Sequence, residues 1–344
     1  MATTIEDVAR QAGVSTATVS RALRGLPNVA PSTRERILQV ARDLEYAIDS
    51  QASSLASGRS MTVGIVMPLA DQWFYSKVAT SAEVVLTAEG YDVIRYSLAS
   101  LGDRTEIFRR LISSRRVDGL IVLNIMLTQE NLDYLLKSGC PVVTVETQTE
   151  PFPSVSTDNV AAARVATQHL VNLGHRQIAV ISGLHDDPME FSIPLERERG
   201  YRSVLREQGI EIRPELNVPG NFSLEGGAEA MTQLLAIQQP PTAVFAFSDE
   251  MAIAAIKIIR DAGLQIPEDI SVMGFDDHDI SAYLDLTTIR QPVSQYGERA
   301  GKLLLRMLTH NLGEIPHLTL PTKLIMRDTT GPCRARSWGQ SPGG

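Results

Sequence analysis

Residues 5–23, Ile-Glu-Asp-Val-Ala-Arg-Gln-Ala-Gly-Val-Ser-Thr-Ala-Thr-Val-Ser-Arg-Ala-Leu, read as two short helices joined by a tight turn. Ile5, Val8, Ala9 and Ala12 recur at helical spacing and give the first helix one apolar face. Thr4 can cap its start, and Glu6 and Asp7 place negative charge near the positive helix end. Gly13 stands where a left-handed residue ends a helix at least cost. Ser15 can then cap a second helix whose inner face is Val19, Ala22 and Leu23. Its other face carries Thr16, Ala17, Thr18, Ser20 and Arg21, short or cationic side chains suited to base edges and phosphates. Two helices arranged so form the unit that lays one of them in the major groove of DNA. A plain helical hairpin is the alternative reading of this segment alone.

A third apolar stripe follows at Ile37, Val40, Ala41 and Leu44, with Pro31 favourable in the first turn. Three small helices would complete a DNA-reading headpiece. Residues 48–60 are polar and serine-rich, with Leu55 standing apart among them, and lead directly into a strand-like run at Thr62–Pro68.

The chain has 344 residues, 43% of them apolar, enough for a headpiece and two core-bearing lobes. Net charge is −8 overall, but residues 1–60 carry +1 and the remainder −9. Arg10, Arg21, Arg24, Arg34, Arg36 and Arg59 can meet phosphates, while the acidic remainder disfavours non-specific adhesion to nucleic acid. The two cysteines, Cys140 and Cys333, cannot build a disulfide framework or a cysteine-rich zinc site and read as free thiols. No basic-then-apolar leader and no membrane-spanning stretch is evident, so a cytoplasmic location with no membrane partner is expected.

Beyond residue 60, strand-like and helix-like runs alternate. The strands are expected at Thr62–Pro68, Tyr91–Tyr96, Gly119–Leu123, Val142–Glu146, Gln177–Ser182, Ala243–Phe247 and Ile270–Phe275. Helices are expected at Ser76–Glu89, Thr105–Ser114, Ala161–Leu173, Arg199–Gln208 and Glu250–Ala262. Apolar strands separated by such helices predict parallel sheets covered on both faces, in two doubly wound lobes. Ligands of such sheets lie beyond the carboxyl ends of the strands, which here points to the cleft between the lobes.

The order of headpiece, short connector and α/β body resembles the lactose-repressor (LacI/GalR) family of bacterial transcription regulators over nearly the whole chain. The Asp158-Asn159 pair and the turn Asn172-Leu-Gly-His-Arg176 also look like family signatures. The resemblance implies a small all-α helix-turn-helix headpiece on a periplasmic-binding-protein-like body. It implies a headpiece at 1–48 and a hinge helix or linker at 49–60. The N-terminal lobe would take 61–158 and 292–321, the C-terminal lobe 159–291 and 322–332, with a disordered tail at 333–344. The tail shows no leucine heptads, so a homodimer is expected rather than a coiled-coil tetramer.

By the same resemblance, contact with operator DNA falls to Thr4, Ser15, Thr16, Ala17, Thr18, Ser20, Arg21, Asn28 and Thr33, and in the connector to Ala52 and Leu55. Ala17 can offer a thymine methyl only apolar contact, whereas Arg21 can read a guanine or clamp a phosphate. Leu55 would act as a minor-groove wedge. The connector departs from the family pattern, with Ile48-Asp49 for the usual Pro-Asn and Ser53 for a common arginine. In the body, the positions that line the effector cleft of the family are Trp73, Phe74, Asn124, Glu146, Arg197, Phe222, Ser248, Asp276 and Gln291. The family often has Asn at Ser248 and Asp at Glu146. Aromatic faces beside forked donors and fixed acceptors suit a small polyhydroxylated ligand, a sugar or sugar derivative first and a purine or nucleoside second.

Asp249 reads as a helix cap, His175 as structural, and His185-Asp186-Asp187 as a solvated loop rather than a metal site. No nucleophile elbow, phosphate loop or His-Glu-x-x-His helix is present. The expectation is therefore an effector-controlled DNA-binding regulator, a repressor of sugar-utilisation genes, needing no cofactor or metal and performing no catalysis. A transport-type solute receptor with the same body is the rival.

Overall fold

The computed structural model describes residues 3–23, 27–46, 59–68, 72–98, 103–183, 192–309 and 315–334. The chain divides into two units, Met1–Ser60 and Met61–Gly344.

The first unit holds α1 (Ile5–Ala12), α2 (Thr16–Leu23) and α3 (Pro31–Asp43), each touching the other two. Thr4 caps α1 through a reciprocal capping box with Asp7, and Gly13 ends it at φ 65°. The Ser15 hydroxyl accepts from the Thr18 amide at 3.2 Å and so starts α2. Val8, Ala9, Ala12, Val19, Ala22, Ile37 and Ala41 form a small closed core, with Val14, Val29 and Tyr46 packed at its edge. Ala52 and Leu55 lie outside the described residues.

The second unit contains two six-stranded sheets. The first is ordered β11-β5-β4-β3-β1-β2 and is parallel throughout. Its strands are β1 (Thr62–Met67), β2 (Asp92–Ser97), β3 (Gly119–Leu123), β4 (Val142–Val145), β5 (Ser154–Thr157) and β11 (His317–Leu320). The second sheet, ordered β12-β10-β9-β8-β6-β7, is parallel except for its edge strand β12. It comprises β6 (Ile178–Ser182), β7 (Asn217–Pro219), β8 (Ala243–Ala246), β9 (Ser271–Asp276), β10 (Thr287–Arg290) and β12 (Lys323–Ile325).

Seven strands were expected and twelve are present among the described residues. The five additional ones are three or four residues long, and β5 and β10 are rich in Ser and Thr, so no apolar run marks them. Both faces of the first sheet are covered. Val63, Ile65 and Met67 pack under α4 (Trp73–Ala88) and α11 (Val293–Thr309), while Val66, Leu120 and Val122 face the other way. The period-2 alternation of β1 thus serves two cores at once. Between α4 and α11 lie α5 (Asp103–Ser113), α6 (Gln129–Ser138), α7 (Asn159–Asn172), α8 (Ser192–Glu207), α9 (Leu224–Ala236) and α10 (Asp249–Asp261).

The chain passes from the first sheet to the second between Thr157 and Asn159, returns between Arg290 and Val293, and crosses again between Leu320 and Lys323. Each sheet has a switch point, between β1 and β3 and between β6 and β8, where successive connections leave in opposite directions. Among the described residues no helix is long and apolar enough to cross a membrane.

Glycine permits the closest helix contact in the first lobe. A Cβ on Gly297 of α11 would lie 2.0 Å from the Val78 carbonyl oxygen and 2.7 Å from the Ala82 nitrogen of α4. Both obstacles are backbone, so the helices themselves would have to separate. Gly297→Ala is expected to destabilise the body by about 1–3 kcal/mol, the usual range for overpacking, read as a lower urea midpoint at unchanged slope.

Candidate functional site

Strand ends and helix starts converge on a cavity between the two sheets of the body. From the first lobe come Phe74 and Tyr75, in the first turn of α4, and Asn124 just past β3. From the second come Ile193, Pro194 and Arg197 of α8, Asn221 and Phe222 before α9, Ser248 and Glu250 at the start of α10, and Asp276 at the end of β9. Gln291 lines the cavity from the crossover that follows β10.

Two helices begin three or more residues earlier than their apolar periodicity suggested. α4 starts at Trp73 rather than Ser76, and α8 at Ser192 rather than Arg199. Trp73, Phe74 and Arg197 are therefore helical residues, not loop residues. Their aromatic or charged character in a first turn hid the helix starts.

Arg197 is the centre of the site. Only 3% exposed, its guanidinium lies 3.6 Å over the Phe275 ring centroid. Its Nε donates to Asn159 Oδ1 at 2.9 Å, and Nη1 donates to the Phe247 carbonyl. Asn159 in turn donates from Nδ2 to Glu146 Oε2 at 3.0 Å, and Glu146 Oε1 accepts from the Thr157 amide at 2.9 Å. Both oxygens of Glu146 are thus committed at the first crossover. Glu146 does not stand on the cavity wall. Burial pushes its carboxyl above the usual range, against the hydrogen bond from Asn159 and the nearby charge of Arg197.

A second set of bonds ties Asp276 to the return crossover. Gln291 Nε2 donates to Asp276 Oδ1 at 2.6 Å, and Tyr296 on α11 donates to Gln291 Oε1 at 2.9 Å. Burial drives the Asp276 carboxyl well up, aided by the charge of Asp249, while Arg197 and Gln291 pull the other way. Asn124 donates to the Tyr75 hydroxyl at 2.9 Å.

Several of these residues sit at positive φ, which non-glycine residues seldom adopt: Asn124 at 45°, Glu146 at 58°, Phe222 at 51° and Asp276 at 125°. Such backbone is held only where its surroundings fix it, and it gathers at functional sites. Phe222 and Pro194 rest on Gly183, where a Cβ would come within 2.6 Å of each ring.

Trp73 faces out of the cavity. Its Nε1 donates to Asp279 Oδ2 at 3.2 Å, its ring lies 4.5 Å from that of His278, and Lys77 Nζ reaches Asp279 at 2.9 Å. Gln72 donates to the Phe222 carbonyl at 3.3 Å. These contacts join the lobes across the cleft.

The cap of α10 is Ser248, whose hydroxyl accepts from the Met251 amide, and not Asp249. Asp249 is wholly buried and holds the segment after β9 in place. Its Oδ2 accepts from the His278 amide at 2.8 Å and from the Ser281 hydroxyl at 2.6 Å, while Oδ1 accepts from Thr288 at 2.6 Å. Burial raises its carboxyl to about 6 despite these bonds. His175 bonds Thr242 through Nδ1, and Ser271 and the Gly331 carbonyl through Nε2, which is a structural arrangement. His185, Asp186 and Asp187 lie outside the described residues.

In the headpiece, Ser15, Thr16, Ala17 and Arg21 are exposed along α2, while Thr18 and Ser20 are half-buried. Thr4 is engaged with Asp7 at the start of α1, Asn28 is exposed at φ 71°, and Thr33 is half-buried in the first turn of α3.

Comparison with known proteins fits both units. Residues 4–49 match the family model for bacterial regulatory proteins of the lacI family, and residues 167–330 match that for a periplasmic binding protein-like domain. The chain is 34% identical over 334 residues to the catabolite control protein A of Priestia megaterium, covering 96% of this chain and all of the relative. The crystal structure of the lac repressor dimer bound to operator and the anti-inducer ONPF superposes with a TM-score of 0.84 at 27% identity, covering 96% of this chain and all of that one. A transcriptional regulator CelR–cellobiose complex matches with a TM-score of 0.70 at 30% identity, over 95% and 99% of the two chains. The chain belongs to the lacI family and is a DNA-binding transcription regulator.

Asp249→Ala would strand one half-buried amide and two buried hydroxyls. We expect a loss on the order of 3 kcal/mol in urea unfolding, since hydrogen bonds to a charged group contribute about 1.5–3 kcal/mol each and part is recovered by hydroxyl rotation. Unchanged stability would show that the carboxylate is not the anchor of the 276–281 segment.

Proposed function

We propose that the chain is a homodimeric repressor that reads a near-palindromic operator through α2 and changes its grip when a small polyhydroxylated ligand occupies the cleft. The observation that carries this reading is a cavity in which Arg197, Asp276 and Gln291 face Phe74, Tyr75 and Asn124 across the lobes. Arg197 is a donor and Asp276 an acceptor; side by side, they suit adjacent hydroxyl groups, each of which donates one hydrogen bond and accepts another. Phe74 and Phe222 supply apolar faces for a ring, and Ser248 and Asn124 further hydrogen bonds. A sugar or sugar derivative is the first choice, in keeping with the cellobiose complex of the structural neighbour. The two phenylalanines would equally stack a nucleobase, so nucleosides are the second.

Glu146 and Trp73 act on the ligand from outside the cavity in this reading. Glu146 holds the Thr157–Asn159 crossover under Arg197, and Trp73 bridges the lobes at Asp279. A symmetric dimer presents two copies of α2 to two half-sites, which accounts for the near-palindromic operator. The operator dimer of the structural neighbour supports it, as do Val84 and Tyr283, apolar or aromatic side chains left 65% and 85% exposed. On DNA, Thr16 and Ala17 are assigned to bases, Arg21 to a guanine or a phosphate, Thr4, Ser15, Thr18, Ser20, Asn28 and Thr33 to bases or phosphates, and Ala52 and Leu55 to the minor groove.

The ligand is sought by thermal shift over a panel of sugars and nucleosides, where a compound at 100 times its Kd adds about 2.7 kcal/mol. With that compound in hand, Arg197→Ala and Asp276→Ala are expected to bind operator fragments as the wild type does in gel shifts, and to lose the response to the ligand. A normal response from either variant would remove the cleft assignment. Failure of the wild type to prefer any genomic fragment over random competitor would remove the operator reading.

A further inference from the structure

Four helices, α4, α8, α9 and α10, begin at the cavity, and a helix start is an anion site by default because its N–H groups and macrodipole point outward. In this chain two of those starts, on α9 and α10, are capped by their own side chains and carry an acidic first turn, which turns anions away. On α10, Ser248 occupies the Met251 amide, and Asp249 and Glu250 make up an acidic first turn. On α9, Ser223 occupies the Gly226 amide and Glu225 follows. The first turn of α8 contains Pro194, which has no N–H to give. α4 opens on Trp73, Phe74 and Tyr75, which bring no charge, and no side chain caps it.

The charges of the cavity agree. Among the described residues its lining has one cation, Arg197, and two acids, Glu250 and Asp276, the second pushed by burial toward its neutral form. The guanidinium is already drawn on by Asn159, Phe247 and Phe275. At the rim, Lys77 is paired with Asp279. Glu250 lines both the cavity and the outer groove that contains Trp73, Lys77 and Asp279, so it stands where the one opens to the other. The surroundings that push the Asp276 carboxyl upward would penalise a phosphate in the same way.

We propose that the cleft selects an uncharged polyhydroxylated ligand over its phosphate ester, and that Glu250 is a specificity-determining residue for this choice. The inference rests on the reading of the cleft as the effector site. A phosphomonoester carries between one and two negative charges at neutral pH, and within several ångströms of Glu250 at intermediate dielectric the repulsion exceeds a tenfold loss of affinity.

The test is calorimetry on the full-length chain with matched pairs: glucose and glucose 6-phosphate, ribose and ribose 5-phosphate, cytidine and its 5′-monophosphate. In the wild type the neutral member of the binding pair is expected to bind at least about tenfold more tightly. Glu250→Gln is expected to narrow that ratio by about threefold or more. The wild-type ratio should also shrink as salt rises from about 0.05 to 0.5 M, a readout that needs no variant. An ester that binds the wild type as well as its neutral partner overturns the proposal, as does a ratio indifferent to both Glu250→Gln and salt. Neutral compounds that give no heat while esters bind also overturn it. Silence from every pair removes the effector reading itself, and this inference with it.

Discussion

A guanidinium buried to 3% exposure is the constraint around which the body is organised. Taking such a charge out of water costs several kcal/mol unless hydrogen bonds and opposite charge replace the solvent. Arg197 finds those replacements in three places: Asn159 at the first crossover, the Phe247 carbonyl beyond β8, and the ring of Phe275 beside Asp276. One side chain therefore needs the hinge and the strand ends of the second lobe to be in register. Glu146 extends the chain of bonds to the Thr157 amide, and Gln291 and Tyr296 close it through the return crossover. The residues that would touch a ligand and those that fix the angle between lobes are bonded to one another. A ligand that alters the partners of Arg197 or Asp276 acts directly on the crossovers.

The sheets explain why this circuit sits where it does. Parallel strands with a reversal of winding leave a crevice at their carboxyl ends, and two such sheets facing each other enclose a cavity. Asn124, Ser248, Asp276 and Gln291 each follow a strand by no more than two residues or end it. Asn124 and Asp276 adopt positive φ, so the side chain is aimed by the backbone itself rather than by a rotamer alone.

Much of this could be read from the residues. The headpiece was legible because capping residues, Gly13 and an i, i+3, i+4, i+7 stripe all agree over a short span. The long apolar strands were legible as uninterrupted runs. What escaped was set by tertiary contact. β5, β10 and β11 are too short to carry a period, and Thr287 and Thr288 look like loop residues until their hydroxyls are seen bonded to Arg327 and Asp249. Asp249 reads as a cap, as an acidic residue at a helix start usually does, and only the fold shows it turned inward with Ser248 capping instead. Asn159 was noticed as part of a pair, but its bonds to Glu146 and Arg197 lie 13 and 38 residues away. Tyr75 and Tyr296 gave no local signal at all.

Gly183 bears on how such a molecule could be retuned. Two walls of the chamber, Phe222 and Pro194, lean on a position that has no side chain. Even a methyl group there would shove both rings toward the middle, shrinking the room available before any contact to the guest had been redesigned. Biosensor engineering would do better to hold this floor fixed and diversify Phe74 and Ile193, which line the chamber from helical backbone that most side chains adopt.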